Sequence, residues 1–233
     1  DNRALHEASR MANEIVPVFV LDPHFFQTTP YHPTRYQFLY ESLLDLQKQY
    51  EKYGTSLLLL VGNPLEKLSA MGVDKVFFNH DTNGQYGKLR DHTALNLGFV
   101  GFTNDGIQCQ GRQRNWKTHV RRYFNSPVYP IPTLSPHKYV SETDLNKFFE
   151  TIPRRQTAPG GETAGLELVD SFTKNLHNYT RSISFPLRAE TGTSRLSAHL
   201  SFGTVSVKYA YQKVSSTNSK GKQAFISRLF WNQ

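Results

Sequence analysis

A run of small hydroxyl residues with one arginine, TGTSRLS at residues 191–197, has the composition of an anion site. The run precedes an apolar helical pattern and would place its arginine in the first turn. Free N–H groups at a helix start favour a negative charge. Hydroxyls and a guanidinium add donors suited to phosphate oxygens. Ordinary helix capping beside a solvated arginine is the alternative, because caps of this composition are common.

Basic side chains form a second candidate group, and several of them accompany aromatic residues. Such cations neutralise phosphates whatever the base sequence, whereas solubilising surface charge is the alternative explanation. The positions are Arg112, Arg114, Lys117, Arg121 and Arg122 beside Trp116, Tyr123 and Phe124, then Arg154, Arg155, Lys208, Lys213, Lys220 and Lys222.

The charge of the 233-residue chain is unevenly distributed. Lys and Arg number 27 against 19 Asp and Glu, a net +8. Residues 1–110 hold nine basic and twelve acidic side chains, and residues 111–233 hold eighteen and seven. The second half therefore carries +11 against −3 for the first, which favours a polyanionic partner such as nucleic acid.

Composition excludes several classes of protein. With 38% hydrophobic residues the chain is not a disordered tail, and no apolar run approaches the length of a membrane span. The single cysteine, Cys109, cannot form an internal disulfide or a multi-cysteine zinc site. We therefore expect no metal site and a reducing, cytoplasmic location.

Strand and helix patterns alternate over the first hundred residues, which predicts a parallel sheet covered by helices. A cap at Asn63 followed by Pro64 marks the start of one helix. The predicted strands are 15–21, 57–61, 73–79 and 98–102, and the other predicted helices are 34–53 and 85–95.

The pattern changes after residue 124. Six of the twelve prolines lie between residues 127 and 159, which indicates an extended connector. Helical patterns follow at 166–176, 194–213 and from 222 onward. We predict an α/β domain at 1–125, a linker at 126–162 and part of a helical domain at 163–233.

Several motifs resemble the photolyase/cryptochrome family, in order along the chain. DNRAL at 1–5 resembles the DNxAL that follows the first strand of that family, and PVFVLDP at 17–23 resembles its second strand. Arg35, Phe38, Leu39 and Leu43 to Leu46 are similar to its R..FL..sL..L helix. GTSRLS at 192–197 with LSFGTVS at 200–206 is very similar to its GTSRLSpyLsfGtiS signature, and residues 225–231 resemble its F...LiW segment.

The resemblance implies a Rossmann-like sheet domain, a long linker and the N-terminal part of an all-α FAD-binding domain. It also implies that the family's first strand precedes residue 1, and that the remaining FAD helices follow residue 233 and carry the tryptophan relay. The FAD-binding residues that it implies are Tyr179, Thr193, Ser194, Arg195, Leu196 and Ser197.

Trp231 resembles the tryptophan that lines the cavity for a flipped-out pyrimidine dimer, so the resemblance implies a catalytic and DNA-binding role. A core position is the alternative for so large a side chain. Arg228 stands where photolyases usually carry a glutamate, and Asn232 where an arginine is typical. A guanidinium cannot accept the hydrogen bonds that a carboxylate would, and we expect Arg228 to bind DNA together with Trp231.

A second, antenna chromophore of folate or deazaflavin type lacks the carboxylate that the resemblance would require. NHDTN at 79–83 occupies the corresponding stretch without the usual glutamate, and we expect Asp81 to be a solvated loop acid.

Together these features predict a monomeric fragment of an FAD-dependent, light-driven enzyme that acts on damaged DNA. The reaction is the splitting of cyclobutane pyrimidine dimers, carried out by a carbon–carbon lyase. Two alternatives stay open: a cryptochrome-type flavin photosensor without repair, and a degenerate, non-catalytic DNA- or nucleotide-binding remnant. The arginine at 228 favours the photosensor, and the +11 half favours repair.

Overall fold

The structure is a computed structural model and describes residues 1–24, 32–82, 84–107, 115–151 and 158–231. The chain divides into two compact units. The first, here called the α/β unit, comprises Asn2–Asn104 and Tyr129–Pro159. The second, the helical unit, comprises Asp1, Asp105–Val128 and Gly160–Gln233.

Four strands and twelve α-helices follow one another in the part of the chain that the structure describes. In chain order they are α1 Arg3–Met11, β1 Val18–Leu21, α2 Pro33–Lys52, β2 Leu58–Val61, α3 Pro64–Ala70, β3 Phe77–Asn79, α4 Gln85–Asn96, β4 Val100–Phe102, α5 Trp116–Asn125, α6 Leu145–Phe148, α7 Glu162–Asn175, α8 Tyr179–Ser182, α9 Ala189–Gly192, α10 Ser197–Phe202, α11 Val207–Ser215 and α12 Lys222–Trp231.

The strands of the α/β unit pair in parallel, as the alternating pattern predicted. β1 pairs with β2, and β3 pairs with β4. Each strand lies within its predicted segment but is shorter, so that β3 keeps only the last three residues of segment 73–79. The predicted fold class, a parallel α/β domain followed by helices, is confirmed.

Local sequence signals explain where the helices of the α/β unit begin. Pro33 occupies the first turn of α2, whose buried aromatic and leucine side chains pack with Leu21 and Leu59 of the sheet. Asn63 caps α3, because its side-chain oxygen accepts hydrogen bonds from the N–H groups of Leu65 at 2.9 Å and Glu66 at 3.4 Å. This is the cap predicted from the sequence.

The proline-rich connector is packed against the sheet. The backbone N–H of Glu142 donates to the carbonyl of Leu59 at 2.8 Å, and the N–H of Leu59 donates to the Ser141 hydroxyl at 3.0 Å. Leu145 and Phe149 are buried in the same core as β2. Residues 141–149 of the predicted extended connector therefore pack against β2 and its core. The sequence did not show this contact, because its partners lie about 80 residues away along the chain.

Helix α5 groups with the helical unit, although the sequence placed residues up to 125 with the sheet. Its buried residues Val120 and Phe124 belong to the core of that unit. The Phe124 ring stacks on Tyr211 at 4.6 Å and meets Phe230 edge-on at 5.1 Å. These contacts assign α5 to the second core.

The single helix predicted at 194–213 is wrong, because the chain forms two helices there. α10 ends at Phe202, where Gly203 takes a left-handed conformation with φ +73°. Ser206 then caps α11, and its hydroxyl accepts a hydrogen bond from the N–H of Tyr209 at 3.2 Å. α10 begins at Ser197, so Arg195 precedes it rather than lying in its first turn.

No helix in the described part of the chain combines the length and the apolar character needed to cross a membrane.

Candidate functional site

The loop between α9 and α10 carries the hydroxyl residues singled out in the sequence. The Thr193 hydroxyl donates to the carbonyl of Ala189 at 2.6 Å, and the Ser194 hydroxyl accepts from the N–H of Leu196 at 3.4 Å. Thr193 and Ser194 are half-buried, whereas Ser197 is exposed. These local bonds hold the loop and leave acceptor and donor capacity at its surface for a ligand.

Arg195 stands out in this loop because its backbone is left-handed, with φ +53°. Only Arg195 and Asn115 share this property among the described non-glycine residues. The guanidinium of Arg195 lies 3.9 Å from the Glu190 carboxylate, and the two side chains are 45% and 83% exposed. So loose and solvated an ion pair binds weakly, which leaves the guanidinium available to an anion.

Two of the residues expected to hold FAD are buried in the core of the helical unit. Leu196 is almost fully buried, and Tyr179 is 5% exposed with its ring edge-on to Phe172 at 5.4 Å and Phe225 at 5.6 Å. Burial raises the pKa of Tyr179, and the positive charge of Arg228 opposes that rise. Leu196 anchors the loop in the core of the helical unit, and Tyr179 packs against Phe225 of α12.

His199, which was not predicted from the sequence, holds α10 in place. The imidazole is fully buried, and its Nδ1 lies 2.8 Å from the Thr204 hydroxyl. Burial lowers the pKa of His199, and a hydrogen bond with the backbone of Gly161 partly opposes that shift. His199 lies among the apolar residues of the signature at 192–206, and this position could have predicted that it is buried.

Trp231 and Arg228 lie one turn apart on α12, on the same face of the helix. Trp231 is 80% exposed, and its indole is not part of the core of the helical unit. Arg228 is exposed as well. An indole face and a cation are thus both accessible at the end of α12, an arrangement suited to a base and its phosphate.

Lys208 is one of the basic residues named from the sequence as a possible phosphate contact, but its side chain is buried. Its side chain is 1% exposed, its ammonium lies 3.1 Å from the Asp1 carboxylate, and it donates to the carbonyl of Pro127 at 2.8 Å. The Ser206 hydroxyl donates to the same Asp1 carboxylate at 2.5 Å. Lys208 therefore lies inside the helical unit and is not available to an external anion.

Two other lysines of the basic group named from the sequence differ in their contacts. Lys213 forms only a loose ion pair, 3.9 Å from the Asp170 carboxylate, and the two side chains are 45% and 59% exposed. Lys222 donates to the carbonyl of Thr217 at 2.6 Å, which satisfies a backbone acceptor just after α11.

Asp81 in the α/β unit lies in a loop, as the sequence suggested, and its side chain is partly solvated, with 38% exposed. Its N–H donates to the buried Asp91 carboxylate at 2.6 Å, and its own carboxylate lies 3.8 Å from Arg90. His80 approaches Asp91 at 3.4 Å. Among the described residues, no group of three or more His, Cys, Asp or Glu is arranged to hold a metal ion.

A separate pair lies at the end of β1. The Tyr86 hydroxyl donates to the Asp22 carboxylate at 2.5 Å. Partial burial and this hydrogen bond raise the pKa of Tyr86 to about 12.

Some residues named from the sequence lie outside the described residues. These are Asn83, Cys109, Arg112, Arg114, Arg154, Arg155 and Asn232.

Comparison with known proteins gives consistent matches to one family. The family model described as DNA photolyase matches residues 1–146. The chain is 26% identical over 271 residues to a deoxyribodipyrimidine photo-lyase of Synechococcus sp., covering 100% of this chain and 55% of that protein. It is 42% identical over 285 residues to cryptochrome DASH of Xenopus laevis, covering 99% and 53%.

A solved structure shares the fold. The archaeal photolyase from Sulfolobus tokodaii, described with two FAD molecules, matches with a TM-score of 0.72 at 23% identity, over 100% of this chain and 54% of that one. The chain thus spans about half the length of the relatives that it matches.

Proposed function

Because the chain belongs to the DNA photolyase family, we propose that the whole protein binds FAD and splits cyclobutane pyrimidine dimers in DNA by light. The reaction breaks the two carbon–carbon bonds that join adjacent pyrimidines, with no net change in oxidation state. The observation that supports this proposal most directly is the exposure of Trp231, a large aromatic side chain held at the surface beside a cation.

The α9–α10 loop fits the phosphates of FAD. Arg195 offers a solvated guanidinium, and the hydroxyls of Thr193, Ser194 and Ser197 are the small polar groups that bind phosphate oxygens. Leu196 and Tyr179 keep the loop and α12 in position from the core. FAD supplies the light-absorbing electron donor of this family when it is bound.

Trp231 and Arg228 would share the contacts with the lesion. The indole face stacks on a flipped-out pyrimidine, and such stacking contributes about 1–3 kcal/mol per base. Arg228 donates hydrogen bonds to a phosphate or to base carbonyl oxygens. Their position one turn apart on α12 lets both side chains meet one nucleotide.

The test compares DNA that contains one cyclobutane dimer with the same undamaged DNA. We expect Trp231→Ala to lower the preference for damaged DNA by roughly 5- to 100-fold, the equivalent of about 1–3 kcal/mol of stacking, and Trp231→Phe to retain most of it. Thermal unfolding should not change, because the side chain is 80% exposed. An unchanged preference in Trp231→Ala would contradict the proposal.

The 233-residue chain itself should bind FAD weakly and split few dimers, since it spans about half of its relatives. Absorption of the purified chain near 450 nm and dimer loss under blue light measure both properties. Stoichiometric flavin together with light-dependent splitting by this chain would contradict that expectation.

A flavin photosensor without repair is the second candidate, favoured by the arginine at 228 in place of the usual glutamate. The 42% identity to a cryptochrome DASH agrees with it. Light-dependent loss of dimers in the presence of the full-length protein separates the two functions.

A further inference from the structure

Helix α5 presents cations that neither the flavin contact nor the lesion contact uses. Lys117, Arg121 and Arg122 are exposed, whereas Val120 and Phe124 on the opposite side are buried in the core of the helical unit. We call these three cations the α5 basic face. Because the core holds the helix by its other side, this face is fixed toward solvent.

The α5 basic face lacks acidic partners. In the described part of the chain, no salt bridge within 4.0 Å involves these three cations, whereas Lys208 of the same unit is buried against the Asp1 carboxylate. The sequence explains this difference, because residues 106–141 contain six Arg and Lys and no Asp or Glu. The three charges are therefore available to an external anion.

The remaining exposed positions of α5 are polar. Thr118 and Asn125 share the solvent side, and Trp116 is half-buried with the Lys117 ammonium 5.7 Å from its ring centroid. A protein interface needs a buried apolar centre, and a membrane anchor needs exposed apolar side chains. The solvent side of α5 offers neither, which leaves a polyanion as the matching partner.

Spacing along the helix favours a partner with regularly repeated charges. Lys117 and Arg121 lie four residues apart, which is about 6 Å along the axis, and Arg122 follows directly. Duplex DNA carries one phosphate per roughly 3.4 Å of each strand, so several phosphates fall within reach of the three side chains.

We propose that the α5 basic face binds the phosphate backbone of duplex DNA, independently of base sequence and of any lesion. The proposal rests on the proposed function for the identity of the nucleic acid. It adds a contact that strengthens binding to damaged and undamaged DNA alike, whereas the end of α12 supplies the preference for damage.

The experiment measures binding of the 233-residue chain to a 20-base-pair duplex, undamaged or with one dimer, by fluorescence anisotropy between 50 and 300 mM KCl. The variant is Lys117→Gln/Arg121→Gln/Arg122→Gln. The matched control is Lys48→Gln/Lys52→Gln/Lys75→Gln, which removes three exposed cations from the α/β unit and changes the net charge equally.

We expect the α5 variant to bind both duplexes at least tenfold more weakly at low salt. The slope of log affinity against log salt should fall by about 2–3, since each phosphate contact contributes roughly 0.9. The control should keep the wild-type slope. An α5 variant with the same affinity and slope as the control overturns the proposal.

Two further variants guard against loss of the fold. Lys117→Arg/Arg121→Lys/Arg122→Lys keeps the three positive charges and should bind DNA like the wild type. If this variant loses binding, the proposal that charge alone makes the contact with the phosphate backbone is overturned. Arg121→Gln alone should lower the slope by about 0.9.

Failure of the proposed function is recognisable separately in the same assay. A wild-type chain that binds damaged and undamaged duplexes equally argues against lesion recognition at Trp231. In that case the contact of the α5 basic face with DNA would still be supported by the smaller salt dependence of the α5 variant, because this dependence is measured on undamaged DNA.

Discussion

Arg195 combines an exposed guanidinium with a backbone conformation that L-residues rarely adopt. The left-handed region costs a non-glycine residue about 1–2 kcal/mol. Such strain persists where the surrounding structure imposes it, and it is found most often at ligand sites. We therefore expect the side chain of Arg195 to serve in ligand binding and not in stabilising the fold.

We predict that Arg195→Gly affects stability and flavin affinity in opposite directions. Glycine relieves the left-handed backbone, so the free energy of unfolding should stay unchanged or rise by up to about 1 kcal/mol. Loss of the guanidinium should weaken FAD binding about 10- to 100-fold, because hydrogen bonds to charged groups contribute about 1.5–3 kcal/mol. Denaturant unfolding and flavin fluorescence titration measure the two quantities.

Arg195→Lys serves as the control for charge and should retain most of the affinity. Weaker FAD binding accompanied by an equal loss of stability would show that Arg195 acts through the fold instead.

At the scale of elements, Gly165 lets three segments come close together, because it has no side chain. They are α7, α10 and the turn that leads into α11. A Cβ at Gly165 would overlap the Val205 side chain and lie 2.7 Å from Nδ1 of His199. Val205 and His199 are both buried, so neither can move aside without disturbing the core. The close contact of these elements depends on the missing side chain.

Gly165→Ala should lower the free energy of unfolding although alanine favours helix. The helix propensity of alanine gains about 1 kcal/mol over glycine, and overpacking costs about 1–3 kcal/mol. In a Val205→Ala background the same substitution should cost less, because part of the overlap is gone. Chemical denaturation of the four proteins measures this coupling, and equal costs in both backgrounds would contradict it.

His199 gives the second prediction at this scale, a pH dependence. Its folded-state pKa is lowered by burial, while the unfolded chain has the ordinary value near 6.5. Above that pH both states are neutral, and the stability contributed by the neutral, buried imidazole is complete. As the pH falls below about 6.5, His199 is protonated in the unfolded state but stays neutral in the folded state. The free energy of unfolding therefore decreases until the pH reaches the lower pKa of the folded state.

His199→Gln should flatten this dependence between pH 7.5 and 5. The amide can accept from the Thr204 hydroxyl and donate to the backbone of Gly161, but it does not titrate. Urea unfolding across this range compares the two proteins. Parallel stability curves for wild type and variant would contradict the assignment.

At the scale of the whole molecule, the net charge belongs to one unit. The α/β unit contains thirteen basic and thirteen acidic side chains, so its net charge is zero. The helical unit contains fourteen basic and six acidic ones and carries the entire +8. The unit that holds the signature loop, Trp231 and the α5 basic face is thus the one suited to a polyanion.

Each unit also has its own core, and the two cores share no residue in the described chain. We predict that they unfold in separate transitions. Both tryptophans, Trp116 and Trp231, belong to the helical unit, so tryptophan fluorescence reports on that unit and far-ultraviolet circular dichroism on both.

Two core variants test this prediction. Leu176→Ala should shift the fluorescence transition, and Leu59→Ala should shift only the dichroism, since each deletion of a buried leucine side chain costs about 2–5 kcal/mol in its own unit. Equal shifts of both signals in both variants would indicate one cooperative unit.

The sequence by itself determined the features that depend on near neighbours. Strand positions, the length of α2 and the cap at Asn63 follow from periodicity and from residues within one turn of each other. The signature motif and the uneven charge are likewise properties of the string of residues. Family and fold class could therefore be stated without coordinates.

Only the tertiary structure decided which side chains are accessible. Lys208 is buried because Asp1 and Pro127, distant in sequence, meet it, and α5 joins the helical core through Tyr211 and Phe230. Trp231 is exposed because α12 buries its other face. Burial results from contacts between distant segments, and no local pattern in the sequence records those contacts.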